Sequence, residues 1–195
     1  MGYALGVNGR TTHELGQLLL RYGLRDFLEL RGGIGSYVFS EGSDGYNGTN
    51  VGAKVRLWRS SLARLSGVAS TSLPTGTGPF DSGDDRVRQD LRLAFDGALG
   101  ANLSLSINGG LRFFYTDTAE TEWVFIPTLS TSLNERTGFY VGYAGFYRET
   151  TDGNWVQAGL TYLTNPNTQL DVNTGLRLDE ESNRAFFGIG FSHRF

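Results

Sequence analysis

The chain ends on a strictly alternating segment, Ala185-Phe186-Phe187-Gly188-Ile189-Gly190-Phe191-Ser192-His193-Arg194-Phe195, whose last residue is aromatic. Successive side chains of a β-strand point to opposite faces. Ala185, Phe187, Ile189, Phe191, His193 and Phe195 therefore share one face, and Phe186, Gly188, Gly190, Ser192 and Arg194 the other. A terminal strand with one apolar face and one small or polar face, closed by an aromatic, suits a barrel wall with lipid outside and a polar interior. An ordinary terminal strand of a soluble β-protein could read the same way, so the rest of the chain has to decide.

The same period runs through the whole sequence. Apolar residues recur in Tyr3/Leu5/Val7, Leu18/Leu20/Tyr22, Leu28/Leu30/Ile34 and Val51/Ala53/Val55/Leu57. They continue in Leu65/Ala69/Leu73, Leu91/Leu93/Phe95, Leu103/Leu105/Ile107/Leu111/Phe113/Tyr115 and Trp123/Phe125/Leu129/Leu133. Phe139/Val141/Tyr143/Tyr147, Val156/Leu160/Tyr162, Leu170/Val172/Leu176/Leu178 and the terminal set complete the series. This predicts a single all-β domain over residues 1–195, an antiparallel up-and-down barrel of twelve strands. An even number brings both termini to one side.

Short connections near Leu24–Phe27, Arg59–Leu62, Gly97–Asn102, Asn134–Gly138 and Asn165–Asn167 alternate with longer polar ones. The longer ones fall near Ser40–Gly48, Thr75–Val87, Thr116–Glu122, Thr150–Gly153 and Asp179–Asn183. Short periplasmic turns and longer extracellular loops are the two ends of an outer-membrane barrel. The stretches LLRYGLRDFLELRGG, LAFDGALGANLSLSINGG and LTYLTNPNTQLDVNTG share one hairpin plan, as a chain of adjacent hairpins would. Pro127 interrupts its strand, because it lacks a ladder donor, and predicts a bulge or local break. The register of the strand that begins near Trp155 is ambiguous by one residue.

Alternation alone does not say which face is inside. Apolar content is 39% and mean hydropathy is -0.25, and no apolar run approaches the roughly 18 residues of a spanning helix. A helical membrane protein is excluded. Aromatics gather at the strand ends, with Tyr22, Phe95, Phe139, Tyr162 and Phe195 toward the short turns and Phe113, Tyr115, Trp123 and Tyr147 toward the loops. Two such girdles mark the two membrane interfaces.

The opposite face carries Glu29, Arg31, Lys54, Arg56, Arg64, Asp90, Arg92, Asp96, Arg112, Asp171 and Arg177. Facing lipid, each Arg or Lys near the midplane would cost about 2–4 kcal/mol, whereas in a polar lumen both signs can pair. A soluble barrel of twelve strands would also enclose an apolar cavity too wide for its own side chains. Apolar-out is the reading that fits. Glu29, Arg31, Lys54, Arg56, Asp90, Arg92, Asp96, Arg112, Asp171 and Arg177 are then the candidate pore lining. They serve either as a filter in which Arg attracts anions or as a salt-bridged plug.

Catalytic and metal chemistry finds little to build on. The chain has two His and no Cys, so no metal-ligand spacing exists and no cofactor is expected. His193 has lipid-facing parity near the short-turn end. His13, beside Thr11, Thr12 and Glu14, sits toward the loop-side rim. It would be the residue of a membrane-embedded lipid hydrolase, were Ser and Asn partners beside it. Gly32/Gly33, Gly109/Gly110 and Gly188/Gly190 lie inside strands, where they relieve crowding rather than cradle phosphate. A net charge of -3 argues against nucleic acid as a partner. Loop acids such as Asp84, Asp85 and Glu181 keep the outer rim solvated or bind the divalent ions between lipopolysaccharide phosphates. With no export signal ahead of the first strand, the expectation is a mature chain carrying an added start Met.

Three stretches, LLRYGLRDFLELRGGIG, TSLPTGTGPFDSGDD and LTYLTNPNTQLDVNTGLRL…FFGIGFSHRF, resemble the outer-membrane family labelled as the MetA pathway of phenol degradation. The similarity spans essentially the whole chain. It implies a monomeric barrel integral to the outer membrane of a Gram-negative bacterium, passing a small anionic or aromatic solute. The surroundings expected of such a barrel are outer-membrane lipid and lipopolysaccharide, with the barrel-assembly machinery engaging the strand that ends in Phe195. The alternatives are a plugged structural or adhesive barrel and the lipid hydrolase. A refolded barrel should show a β signal in detergent and a heat-dependent shift in gel mobility; a chain that shows neither is not a barrel.

Overall fold

The computed structural model describes residues 2–8, 10–40, 44–80, 87–115, 119–149, 152–179 and 185–195, with side chains from Thr12 onward. Fourteen antiparallel strands make one sheet: β1 (Gly2–Asn8), β2 (Arg10–Arg25), β3 (Leu28–Ile34), β4 (Tyr37–Ser40), β5 (Gly45–Tyr46), β6 (Thr49–Arg59) and β7 (Ala63–Leu73). β8 (Arg88–Ala98), β9 (Leu103–Phe114), β10 (Glu120–Ser132), β11 (Thr137–Tyr147), β12 (Asp152–Asn165), β13 (Thr168–Arg177) and β14 (Ala185–His193) follow. A 3-10 turn spans Gly78–Phe80.

Each strand of the main series pairs with its sequence neighbours. The first also meets the last, since β1 pairs with β2 on one edge and with β14 on the other. The pairings therefore run round a ring of twelve strands, with β4 and β5 attached to β2 outside it. Closure holds over the span of β1, from Gly2↔Gly190 to Val7↔Ala185. Toward the short turns, the facing edges of β2 (Leu18–Arg25) and β14 (Phe191–His193) have no further partner strand among the described residues.

The twelve apolar sets fall on the twelve ring strands, and the five short turns separate the strands expected. Two segments differ. β10 begins at Glu120, inside the stretch that reads as a polar connection, and β5 forms at Gly45–Tyr46 within another. In both, polar or glycine-rich composition hides residues that are held by pairing to a neighbour. Pro127 keeps its pairing to Ile107 on β9. Toward β11 the pairing stops after Phe125↔Gly145 and resumes at Thr128↔Gly142 in the same register, so the proline makes a local break and no bulge. Trp155 lies inside β12, between Ala144 and Arg177.

True bulges occur elsewhere. On β2 the register shifts at Gly16, whose φ of 89° is open to glycine. That extra residue puts both Leu15 and Leu18 on the outer face. A second shift separates Arg56 from Trp58 on β6.

Burial runs opposite to that of a water-soluble protein. Leu93, Leu129, Leu160, Val172 and Ile189 stand exposed, as do large apolar residues on every ring strand from β2 to β14. The buried apolar residues Ala94, Val124 and Ala144 lie on the inner face. Close approach of neighbouring strands fixes some inner positions as glycine: a Cβ on Gly110 would lie 2.0 Å from the Leu91 carbonyl oxygen.

Two substitutions probe this arrangement. Leu93→Arg, on the outer face, should lower unfolding free energy in detergent or bilayer by about 2–4 kcal/mol; an unchanged denaturation midpoint would mean that Leu93 does not face lipid. Gly110→Val meets backbone that cannot yield and should destabilise by at least about 2 kcal/mol, read as loss of the heat-shifted folded band.

Candidate functional site: the charged inner face

The register that turns the apolar residues outward turns the candidate lining inward on one continuous face. Cross-strand rows carry Glu29 beside Lys54, Lys54 beside Val68 and Arg56 beside Ser66. They carry Arg92 beside Val68 and Asp90 beside Ser70, Asp90 beside Arg112 and Asp96 beside Ser106. Asp171 pairs with Thr161 and Arg177 with Trp155, on the far side of the ring. All ten candidate lining residues thus share the face opposite the apolar one. The candidate interface aromatics lie on the outer face or beyond the strand ends, with Tyr22, Trp123, Tyr162 and Phe195 well exposed and Phe95 and Phe113 half-buried.

Inside, the charges form two groups. In the loop half, a chain of alternating sign crosses four strands. Asp90 accepts both Arg92, through Nε at 2.6 Å, and Arg112, through Nε at 3.3 Å. Arg112 continues to Glu122, whose other oxygen accepts Arg148 Nε at 2.8 Å. Arg148 also faces Glu120 at 3.6 Å. Three arginines balance three carboxylates. Two of these arginines also lie over aromatic rings, Arg148 3.8 Å from the centroid of Phe114 and Arg112 5.4 Å from that of Phe146.

In the short-turn half, Glu29 accepts Arg21 at 2.9 and 2.8 Å and Arg31 at 2.7 Å. Asp96 accepts Arg64 at 2.8 Å and the Ser106 hydroxyl at 2.8 Å.

The remaining arc, β11–β14, is mostly uncharged. Tyr140 lies over Gly159 and Phe186 over Gly175, so close that a Cβ on either glycine would clash with the ring at 2.4 and 2.2 Å. Phe186 also meets Trp155 at 5.7 Å between centroids. Asp171 accepts the Asn173 amide at 2.7 Å. At the loop end Arg177 grips Asp179 through two bonds of 2.6 and 2.8 Å. That contact holds the Asp179 carboxyl below the usual carboxylate range.

Four members of these groups escape sequence reasoning. Arg21 has inward parity between Leu20 and Tyr22, but its place beside the short turn hides its pairing. Glu120, Glu122 and Arg148 lie at strand ends that read as loops. Their signal is parity: Glu120, Glu122 and Val124 alternate with the outward Trp123 and Phe125. His13 has outward parity, opposite Leu5 and Phe39. His193 meets the Thr168 hydroxyl through Nδ1 at 2.9 Å and the Phe195 ring at 4.8 Å between centroids. Of the loop acids, Asp84, Asp85 and Glu181 lie outside the described residues. Among the described residues no group of three His, Cys, Asp or Glu could hold a metal ion.

Glu122 is the branch point of the charged chain and is only 6% exposed. Glu122→Gln should cost about 3 kcal/mol, because it leaves two arginines under-compensated on a covered face; equilibrium unfolding in urea reads the loss. A midpoint equal to wild type would mean that the chain of pairs adds nothing to stability.

Solved structures with this architecture are barrels of the outer membrane. The NanC porin aligns over 100% of this chain and 99% of its own with a TM-score of 0.72 at 8% identity. The KdgM porin aligns over 100% and 98% with a TM-score of 0.69 at 12% identity. The COG4313 outer membrane channel from Pseudomonas putida F1 aligns over 98% and 92% with a TM-score of 0.72 at 14% identity. At these identities the likeness establishes the fold. No curated protein sequence matches the chain. The family described as "Putative MetA-pathway of phenol degradation" matches residues 3–195. With essentially its whole length matched, and with the twelve-strand ring of an outer-membrane barrel, the chain belongs to that family.

Proposed function

We propose that the protein is a monomeric channel of the Gram-negative outer membrane, passing a small anionic or aromatic solute by passive or facilitated diffusion through its charged interior. The observation that carries this reading is the inversion of faces: apolar residues outside a ring of hydrogen-bonded strands, and charges of both signs inside it. The outer face suits lipid and the inner face suits hydrated solute. One barrel of this fold is described as a KdgM porin in complex with disordered oligogalacturonate, and a solute-passing role comes to this chain by that likeness. Selection would act through size and through the arginine-rich arc, with no covalent step. A lipid hydrolase built on His13 finds little support, since the residues directly across from it are Leu5 and Phe39.

A plugged barrel is the second reading, and a specific observation favours it. The loop-half charges neutralise one another, and Val124 and Ala94 beside them are 3% and 6% exposed. Conductance separates the two. Discrete single-channel steps in a planar bilayer support the channel, and an inserted but silent barrel supports the plug. In a conducting barrel, Arg92→Ala with Arg112→Ala should lower anion preference, read from the reversal potential in a salt gradient. It should also lower stability, because Asp90 and Glu122 lose partners. An unchanged reversal potential in a folded double variant would remove these arginines from the filter.

A further inference from the structure

In the loop half, Asp90, Glu120 and Glu122 are each held by an arginine, Glu14 accepts the Ser36 hydroxyl, and Arg88 at the strand end forms no ion pair with the described residues. The short-turn half is different. Glu29 is occupied by Arg21 and Arg31, and Asp96 by Arg64 and Ser106. Lys54 and Arg56, two residues apart on the inner face of β6, form no ion pair with the described residues. Lys54 stands directly across from Glu29, whose oxygens are already held.

Arg56 stands directly across from Ser66 on β7. Ser66 is fully buried, at 0% exposure, and its Oγ has no hydrogen-bond partner. A buried hydroxyl left without a partner is costly, and native structures supply one. One ammonium, one guanidinium and one hydroxyl therefore share a stretch of inner wall where the nearby carboxylates are already engaged. The two cations can only donate, and the hydroxyl can donate as well as accept. What completes the set is an acceptor from outside the chain, and a negatively charged one.

The donor types narrow the choice. A guanidinium fork presents two parallel N–H groups that match the two oxygens of a carboxylate, while an ammonium acts as a point charge. Lys54 and Arg56 are half-exposed on long stems, whereas Ser66 is short and fixed in the wall. The two cations can fold over an anion in the interior, which meets the Ser66 hydroxyl once the atoms covering it move aside.

We propose that Lys54, Arg56 and the Ser66 hydroxyl form a binding subsite for a small carboxylate in the short-turn half of the barrel interior. The subsite rests on the channel reading, since the ligand reaches it along the lumen. It adds a point of anion recognition on β6 and β7 to the arginine-rich arc of the loop half, where Arg92, Arg112 and Arg148 are already held by carboxylates.

The test uses the full chain refolded in detergent, with folding checked by the heat-dependent gel shift, and acetate as the probe, its binding followed by line broadening of carbon-13-labelled acetate. Wild type should bind acetate. Lys54→Gln with Arg56→Gln should weaken binding by about tenfold or more, the loss of roughly one charge-assisted hydrogen bond. Ser66→Ala should weaken it by about threefold to tenfold with the fold intact. If the double variant does not fold, Arg56→Gln alone carries the comparison and should weaken binding by at least about threefold.

A folded wild type that does not bind acetate, or variants that bind it equally well, would overturn the subsite; tighter binding of inorganic phosphate than of acetate would overturn the assigned class. The channel reading is judged separately by current through a planar bilayer. A conducting barrel without acetate binding sinks the subsite alone. A barrel that binds acetate but carries no current sinks the channel and keeps the subsite.

Discussion

The hydrogen-bonded meeting of β1 with both β2 and β14 is the constraint on which everything else depends. Hydrocarbon offers no partner for a backbone N–H or C=O, so a sheet can cross a membrane only when its edges find each other. Here residues Gly2–Val7 bridge Ala185–Gly190 on one side and Thr11–Gln17 on the other. The ladder then dictates which side chains face where. One strand slipped by a single residue would expose its charges to lipid and its leucines to the lumen. The bulges at Gly16 and at Leu57 are two of the points where the sequence absorbs an extra residue without losing the outer apolar face.

Much of this was legible because the two faces of a barrel strand live in such different solvents. Leu91-Arg92-Leu93 and Leu170-Asp171-Val172 put apolar and charged residues on opposite faces, as any two-faced sheet does, and it is the recurrence of that pattern over twelve segments that points to a barrel. Phe195, the paired aromatics at strand ends and the alternating loop lengths agree with it. What stayed hidden is what depends on neighbours distant in sequence. Glu122 reads as a loop acid until Arg112, ten residues earlier, and Arg148, twenty-six later, are brought beside it. Arg21 joins Glu29 across a hairpin, and its parity between Leu20 and Tyr22 shows its face but not its partner. Pro127 signals its missing donor plainly, and yet the register continues past it, because the pairing to β9 is continuous through Pro127↔Ile107.

The candidate site shows the same division. That ten charged residues share the inner face follows from parity alone. Which of them are engaged does not, because a side chain on one strand chooses among acceptors on three. Asp90 takes two arginines from different strands, and Glu29 takes Arg21 from the neighbouring strand and Arg31 from its own. Sequence reading counts arginines and cannot distinguish a cation held by a carboxylate from one left to face the lumen.

That distinction bears on how the interior can work. A lumen lined by charges must satisfy two demands that pull apart. Like charges crowded on a narrow wall repel one another and weaken the barrel, and fully paired charges present little field to a passing solute. The structure separates the demands in space. The loop half holds arginines and carboxylates in alternating order, Arg92–Asp90–Arg112–Glu122–Arg148, so that β8, β9, β10 and the end of β11 are tied together from within. The short-turn half satisfies Glu29 and Asp96 and then adds Lys54 and Arg56 beyond what those acids can hold. Opposite this charged arc, β11–β14 offer Tyr140 and Phe186 packed over Gly159 and Gly175, with Trp155 against Phe186, a wall of rings instead of charges. Under the proposed subsite, rigidity and recognition fall to different residues of the same inner face, and those that stabilise the barrel need not be those that select its solute.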